Sequence, residues 1–202
     1  MRMLQAVRGA IAASLVLVLA GCGYNDIQSA DEMVKSTWSE VTNQYKRRAD
    51  LIPNLVKTVQ GFADQEKEVL TGVTEARAKA SQIQVNPGDP ASLQAFEKAQ
   101  SNLSGSLSRL LVTVENYPQL KSDANFRDLQ AQLEGTENRI SVARKRYIDS
   151  VQAYNVLIRQ IPANLTAMAF GYKEKPQFTV ENEAAIQQPP AVEFNKPAGQ
   201  TN

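Results

Sequence analysis

Histidine is absent from this 202-residue chain, and cysteine occurs once, at Cys22. The first absence removes the commonest general base and the commonest metal ligand together. Nucleophile–histidine pairs and histidine-containing zinc or di-iron sites are excluded, so any catalysis would rest on carboxylates. A single cysteine gives no intrachain disulfide to draw. Aromatic residues reach only 6% against 43% apolar residues, a balance that favours packed helices over aromatic-rich strands. An excess of one charge is lacking too. The chain carries 22 basic and 21 acidic residues, and Arg2 and Arg8 supply the difference. The body therefore offers no electrostatic footing for nucleic acid. The length suits one ordinary domain.

Long apolar runs are also missing. The one candidate, IAASLVLVLA (11–20), spans about ten residues, too few for a bilayer core of about 30 Å. Arg2 and Arg8 precede it and small residues follow it, the pattern of a secretory signal over 1–21. Leu19-Ala20-Gly21-Cys22 is similar to the bacterial lipobox. Signals of that kind are cut before the cysteine, which then carries a diacylglyceryl thioether and an amine acylated with a fatty acid such as palmitate. The predicted mature protein starts at Cys22 and is held on a membrane, outside the cytoplasm, by several acyl chains, which anchor stably where one does not. The competing reading is an uncleaved signal anchor with an inert Cys22. Gly23, rather than Asp, follows the cysteine. By the sorting rule of enteric Gram-negative lipoproteins, that favours the periplasmic face of the outer membrane over the inner membrane.

From residue 25 onward the apolar period is helical. One seam runs Phe126, Leu129, Leu133, Thr136, Ile140, Ala143, Tyr147, Ser150, Tyr154, Leu157, Ile161, alternating three and four as a left-handed bundle requires. Others run from Ile52 through Glu66 to Ile83, and from Leu93 through Gln100 to Tyr117, with a shorter stripe from Ile27 to Tyr45. Asp50 with Pro53, the NPGDP turn (86–90), Pro118, Ser122 or Asp123, and Pro162 punctuate them. The predicted fold is all-α: an antiparallel up-and-down four-helix bundle over 22–178, with long helices at about 25–47, 51–84, 90–117 and 123–161 and a rod of about 50 Å. The signal peptide precedes it. A tail at 179–202, rich in Pro, Gln and Asn, is predicted to be disordered.

Three stretches then stand out: KRRADLIPNLVKTVQGFADQEKEVLTGVTEARAKA (46–80), LLVTVENYPQLKSDANFRDLQAQLEGTENRISVARKRY (110–147) and AYNVLIRQIPANLTAMAFGYKEKPQF (153–178). With their spacers they make the chain resemble the LemA family of bacterial membrane-associated proteins over roughly 25–178. The resemblance implies an antiparallel helical bundle and no established enzymatic activity. Members typically begin with an uncleaved transmembrane helix, which a lipobox replaces here. Many have His-Glu where this chain has Gln65-Glu66, so a metal role for that histidine does not carry over.

The candidate sites follow from placement. Cys22 is the lipidation site. Glu66 is the acidic residue at a seam position, either a proton-responsive buried carboxylate or a solvated or ion-paired one. Arg47, Arg48 and Asp50 cluster at the predicted first helix–helix turn, either to dock a partner or to set the corner. Arg144, Lys145 and Arg146 could meet anionic headgroups or form a solvated face, with Lys145 and Asp149 at i,i+4. Phe170, Tyr172, Lys173, Lys175 and Phe178 combine aromatics with lysines, suiting a membrane interface or partner groove or a cap on the open bundle end. No catalytic or metal site and no cofactor besides the covalent lipid is expected. The resulting reading is a lipid-anchored, non-enzymatic scaffold or adaptor for unidentified envelope proteins. Its alternatives are a self-associating or membrane-remodelling bundle, and a hydrolase using carboxylates among Glu66, Glu115, Glu134 and Glu137.

Overall fold

The stripe that starts at Ile27 does not stop at Tyr45. In the computed structural model, which describes residues 23–178, it continues through one helix, α1 (Tyr24–Gln60). Ile27, Val34, Val41, Arg48 and Leu55 are buried at one seven-residue spacing, and Trp38, Tyr45, Ile52 and Val59 at the other. The helices expected at 25–47 and 51–84, and the turn expected at Arg47, Arg48 and Asp50, are corrected accordingly. Two residues argue locally for a break and both are absorbed. Arg48 takes a core position, and Pro53 lies inside the helix. Proline has no N–H to give to the carbonyl four residues earlier. That carbonyl, on Ala49, instead accepts a hydrogen bond from Arg77 Nε at 2.7 Å.

The real break falls at 61–66. There Phe62 is exposed and Ala63 is buried, so the register shifts before α2 (Lys67–Gln82). The Asp89 carboxylate accepts from the N–H groups of Ala91 and Ser92 and caps α3 (Pro90–Val114). A short α4 (Pro118–Ser122) follows. Asp123, accepting from Phe126 N at 2.9 Å, starts α5 (Ala124–Leu157). After a cis Ile161–Pro162 peptide comes α6 (Ala163–Phe170), which ends at Gly171 with φ of 72°, a left-handed conformation that glycine adopts without steric cost. Residues 1–22, with Cys22, and the tail at 179–202 lie outside the described residues.

Cross-helix contacts give the directions. Thr37 meets Ser150, Glu40 meets Arg146 and Arg48 meets Glu137, so α1 and α5 run antiparallel. Arg77 on Ala49 folds α2 back along α1, and Tyr117 on Glu66 returns α3 to the start of α2. The apolar core is in two parts. One gathers Trp38, Phe96, Tyr147, Tyr154 and Phe178 towards the Gly23 end; the other gathers Leu55, Val73, Leu110, Phe126 and Leu133 towards the opposite end. Among the described residues no strand occurs, and no helix is long and apolar enough to cross a membrane.

Candidate functional site

Between the two apolar clusters lies a polar layer, built because three helices each place a polar side chain at a core position: Arg48 on α1, Gln100 on α3 and Thr136 on α5. Arg48 is 1% exposed, and an unpaired charge buried so deeply would be costly. Its Nη1 donates to Glu137 Oε1 at 2.6 Å and Ser104 Oγ at 2.9 Å. Its Nη2 donates to Gln100 Oε1 at 2.6 Å and Gln100 O at 3.3 Å. The guanidinium also stands 5.1 Å from the Tyr45 ring centroid. Only Nε makes no hydrogen bond. Beside it a second pair joins Arg144 Nη2 to Glu97 Oε1 at 3.4 Å.

Both pairs line one cavity of about 320 Å³, together with Tyr45, Gln100 and three serines. Each guanidinium is matched by a carboxylate, so the walls carry no net charge. Burial raises the Tyr45 phenol above its usual value, and Arg144 and Arg48 only partly offset this. Deeper in the apolar cluster, burial pushes the Tyr147 phenol up to about 12, and its hydroxyl has no partner. The geometry fixes register. A one-turn slip of α5 would separate Glu137 from a guanidinium that water does not reach.

The second candidate region is the segment after α6. Residues 172–178 run as an extended strap along α1 and α5. Tyr172 accepts from Gln28 Nε2 at 2.8 Å, and Lys175 Nζ sits 2.7 Å from Asp31 Oδ1 and over the Tyr154 ring. Asn155 exchanges two hydrogen bonds with the Lys175 backbone. Phe178 is buried against Trp38 and Tyr147, with the Arg144 guanidinium 4.6 Å from its ring centroid. Burial alone would raise the Asp31 carboxyl, but Lys175 and Lys35 outweigh it and hold the group below its ordinary value. α6 itself packs Ala163, Thr166 and Ala167 inward and leaves Leu165 and Met168 exposed.

A family model described as the LemA family matches residues 37–194. The chain belongs to the LemA family. Magnetosome protein MamQ 1 of Paramagnetospirillum magneticum is 24% identical over 176 residues, covering 77% of this chain and 64% of its own length. Magnetosome protein MamQ of Magnetospirillum gryphiswaldense is 25% identical over 174 residues, with the same shares. Protein LemA of Metamycoplasma hominis is 24% identical over 143 residues, covering 71% of this chain and 59% of its own. The chain thus spans less than two thirds of the length of these relatives.

In this LemA-family chain the residues singled out by sequence scatter. Arg48 and Glu137, assigned to different hypotheses, come together; Arg47 and Asp50 are exposed on α1. Glu66 is half-buried in the α1–α2 break and accepts from Tyr117 Oη at 2.8 Å, which raises the Tyr117 phenol. Glu115 pairs with Lys121 and Glu134 accepts from Gln130, so the four carboxylates form no cluster. Arg144, Lys145 and Arg146 pair with Glu97, Asp149 and Glu40. Of the five aromatic and lysine candidates, Tyr172, Lys175 and Phe178 are held by the bundle, whereas Phe170 and Lys173 are exposed. Cys22 lies outside the described residues. Among those residues no group of three acidic or cysteine side chains could hold a metal ion. Sequence reasoning missed Arg77 and Ser104, and placed Gln100 on a seam without giving it a role. The available signal was the polar residue at one core position in each of three stripes.

Proposed function

We propose that this LemA-family protein is a lipoprotein anchored through Cys22 outside the cytoplasm, whose antiparallel four-helix bundle serves as a non-enzymatic scaffold or adaptor for envelope proteins. The observation that carries the reading is that α1 begins at Tyr24 and runs unbroken for 37 residues. A helix of that length extends roughly 55 Å at about 1.5 Å per residue. A lipid on Cys22 is therefore continuous with a rigid lever that holds the far end of the bundle well clear of the membrane. The buried Arg48 layer and the Arg77–Ala49 bond support rigidity, because both tie α1 to neighbouring helices about two-thirds of the way along it. Gly23 supports outer-membrane sorting in a Gram-negative envelope.

The test is photo-crosslinking in native envelopes from Val112, which is 71% exposed, beside a Cys22→Ser chain. The scaffold reading expects a protein adduct that disappears with Cys22→Ser. Adducts identical with and without the cysteine, or none at any crosslinker span, would contradict it.

A further inference from the structure

Ile161, Leu165, Met168 and Phe170 are 83%, 60%, 79% and 64% exposed. They lie on or just ahead of α6, an eight-residue helix, ANLTAMAF, without a charged side chain. The Phe170 ring lies 5.1 Å from that of Tyr24, itself partly exposed. The other large apolar side chains left open among the described residues, Met33, Phe62, Val112, Val142 and Val156, come from four different stretches of the chain. Scattered ones need no explanation, whereas a contiguous group does.

Its position says what covers it. A Cβ on Gly23 would stand 2.9 Å from Ala163 Cα, so the start of α1 and the inner face of α6 are in direct contact. Cys22 is one residue earlier, about 3.8 Å along the backbone. A lipid on Cys22 is therefore tethered one residue from the contact between α1 and α6, close enough for an apolar face of α6 to settle between headgroups and acyl chains. Exposed Lys173 follows the helix, and Tyr24 is of the residue type found at membrane–water interfaces. A second copy is a poor occupant. Eight residues make a helix about 12 Å long and about 10 Å wide, a face of roughly 120 Å², far short of the roughly 800 Å² per partner of a standard interface.

We infer that the outer face of α6 lies in the bilayer interface beside the lipid anchor, with Leu165 and Met168 as its contact residues and the Phe170–Tyr24 pair at its edge. This rests on the lipid-anchor reading and goes beyond it, because it fixes which end plate of the bundle meets the membrane.

Since Cys22 is the sole cysteine, Met168→Cys in the acylated chain gives one free thiol for a polarity-sensitive fluorophore. Val112→Cys, towards the opposite end, is the comparison. In vesicles of phosphatidylethanolamine and phosphatidylglycerol, the probe at 168 should shift to the blue and brighten several-fold, and the probe at 112 should not. Equal, water-like emission at both positions in membrane-bound chain overturns the inference. So does a shift at 168 that needs no vesicles and grows with protein concentration, which would give the face to a second copy. Intact mass reports the anchor separately. If Cys22 proves unmodified, the same pair of probes on Cys22→Ser decides: a vesicle-dependent shift at 168 alone upholds the contact, and none refutes it.

Discussion

Arg77→Leu keeps the aliphatic stem on α2 but removes the donor that reaches the backbone of α1 at 2.7 Å. Ala49 O needs that donor because Pro53 supplies none. Hydrogen bonds from charged donors contribute about 1.5–3 kcal/mol, and an orphaned buried carbonyl costs about 1–3 kcal/mol. Ala49 is half-buried, so water recovers part of the loss, and Arg77→Leu should destabilise by about 1.5 kcal/mol. Pro53→Ala restores an N–H four residues after Ala49 and with it the ordinary helical bond. In that background Arg77→Leu should cost only about 0.5 kcal/mol, leaving a coupling of about 1 kcal/mol. Pro53→Ala alone should be stabilising, because proline in a helix interior is worth about 3 kcal/mol less than alanine, less the entropy it returns to the unfolded chain. Urea unfolding of the four chains, followed by circular dichroism, measures the cycle. If Arg77→Leu costs the same with Pro53 or Ala at 53, the repair does not exist and the continuity of α1 needs another cause.

Other predictions concern the interior and the strap. Glu137→Ala leaves a buried guanidinium without its carboxylate and should cost about 2–3 kcal/mol, whereas Arg48→Met removes the charge itself and should cost about 1 kcal/mol or less; thermal unfolding in the reverse order would refute the assignment. Tyr147→Phe deletes a hydroxyl with no partner and should stabilise by about 1 kcal/mol. Because the folded phenol is pushed up to about 12, against about 10 unfolded, its contribution is complete below about pH 10 and fades as pH rises towards 12. Tyr147→Phe should shrink that alkaline loss, and an unchanged slope would contradict the burial argument. Asp31→Asn should free Lys175 and the strap, read as faster tryptic cleavage after Lys173, the Lys175–Pro176 bond being resistant to trypsin. Asp31 sits below its ordinary value, so the contribution holds above about pH 4 and is lost as pH falls further. Cleavage as slow as in the unaltered chain would show that Asn155 and Phe178 hold the strap unaided.

The all-helical fold was legible because period alone carries it. On α3 every stripe position from Leu93 to Val114 is buried, the polar Gln100 included, with Tyr117 half-buried beyond its end, and α5 buries its stripe from Phe126 to Tyr154 with Leu129 only partly covered. Asp89 and Asp123 announced their helices because capping is local. The continuity of α1 was not legible. Arg48 and Pro53 look like interruptions until Glu137, Gln100 and Arg77 arrive from distant parts of the chain. The break at 61–66 was missed for the opposite reason: Phe62 and Glu66 fall at stripe spacing, yet one is exposed and the other half-buried. Ile161 likewise keeps the α5 spacing but is 83% exposed, and Ile158 is buried in its place. Phe178 read as an outlying contact residue, because nothing local shows that the strap folds back onto Trp38.

The central claim is that a lipid on Cys22 joins this bundle to a membrane. Intact mass and detergent-phase partition of the native protein, beside Cys22→Ser, test it directly. The expected native protein begins at Cys22, carries diacylglyceryl and acyl groups and enters the detergent phase, with the serine variant left as an unmodified precursor. A native chain of full length, with an unmodified thiol, would contradict the anchor and every statement about topology that depends on it.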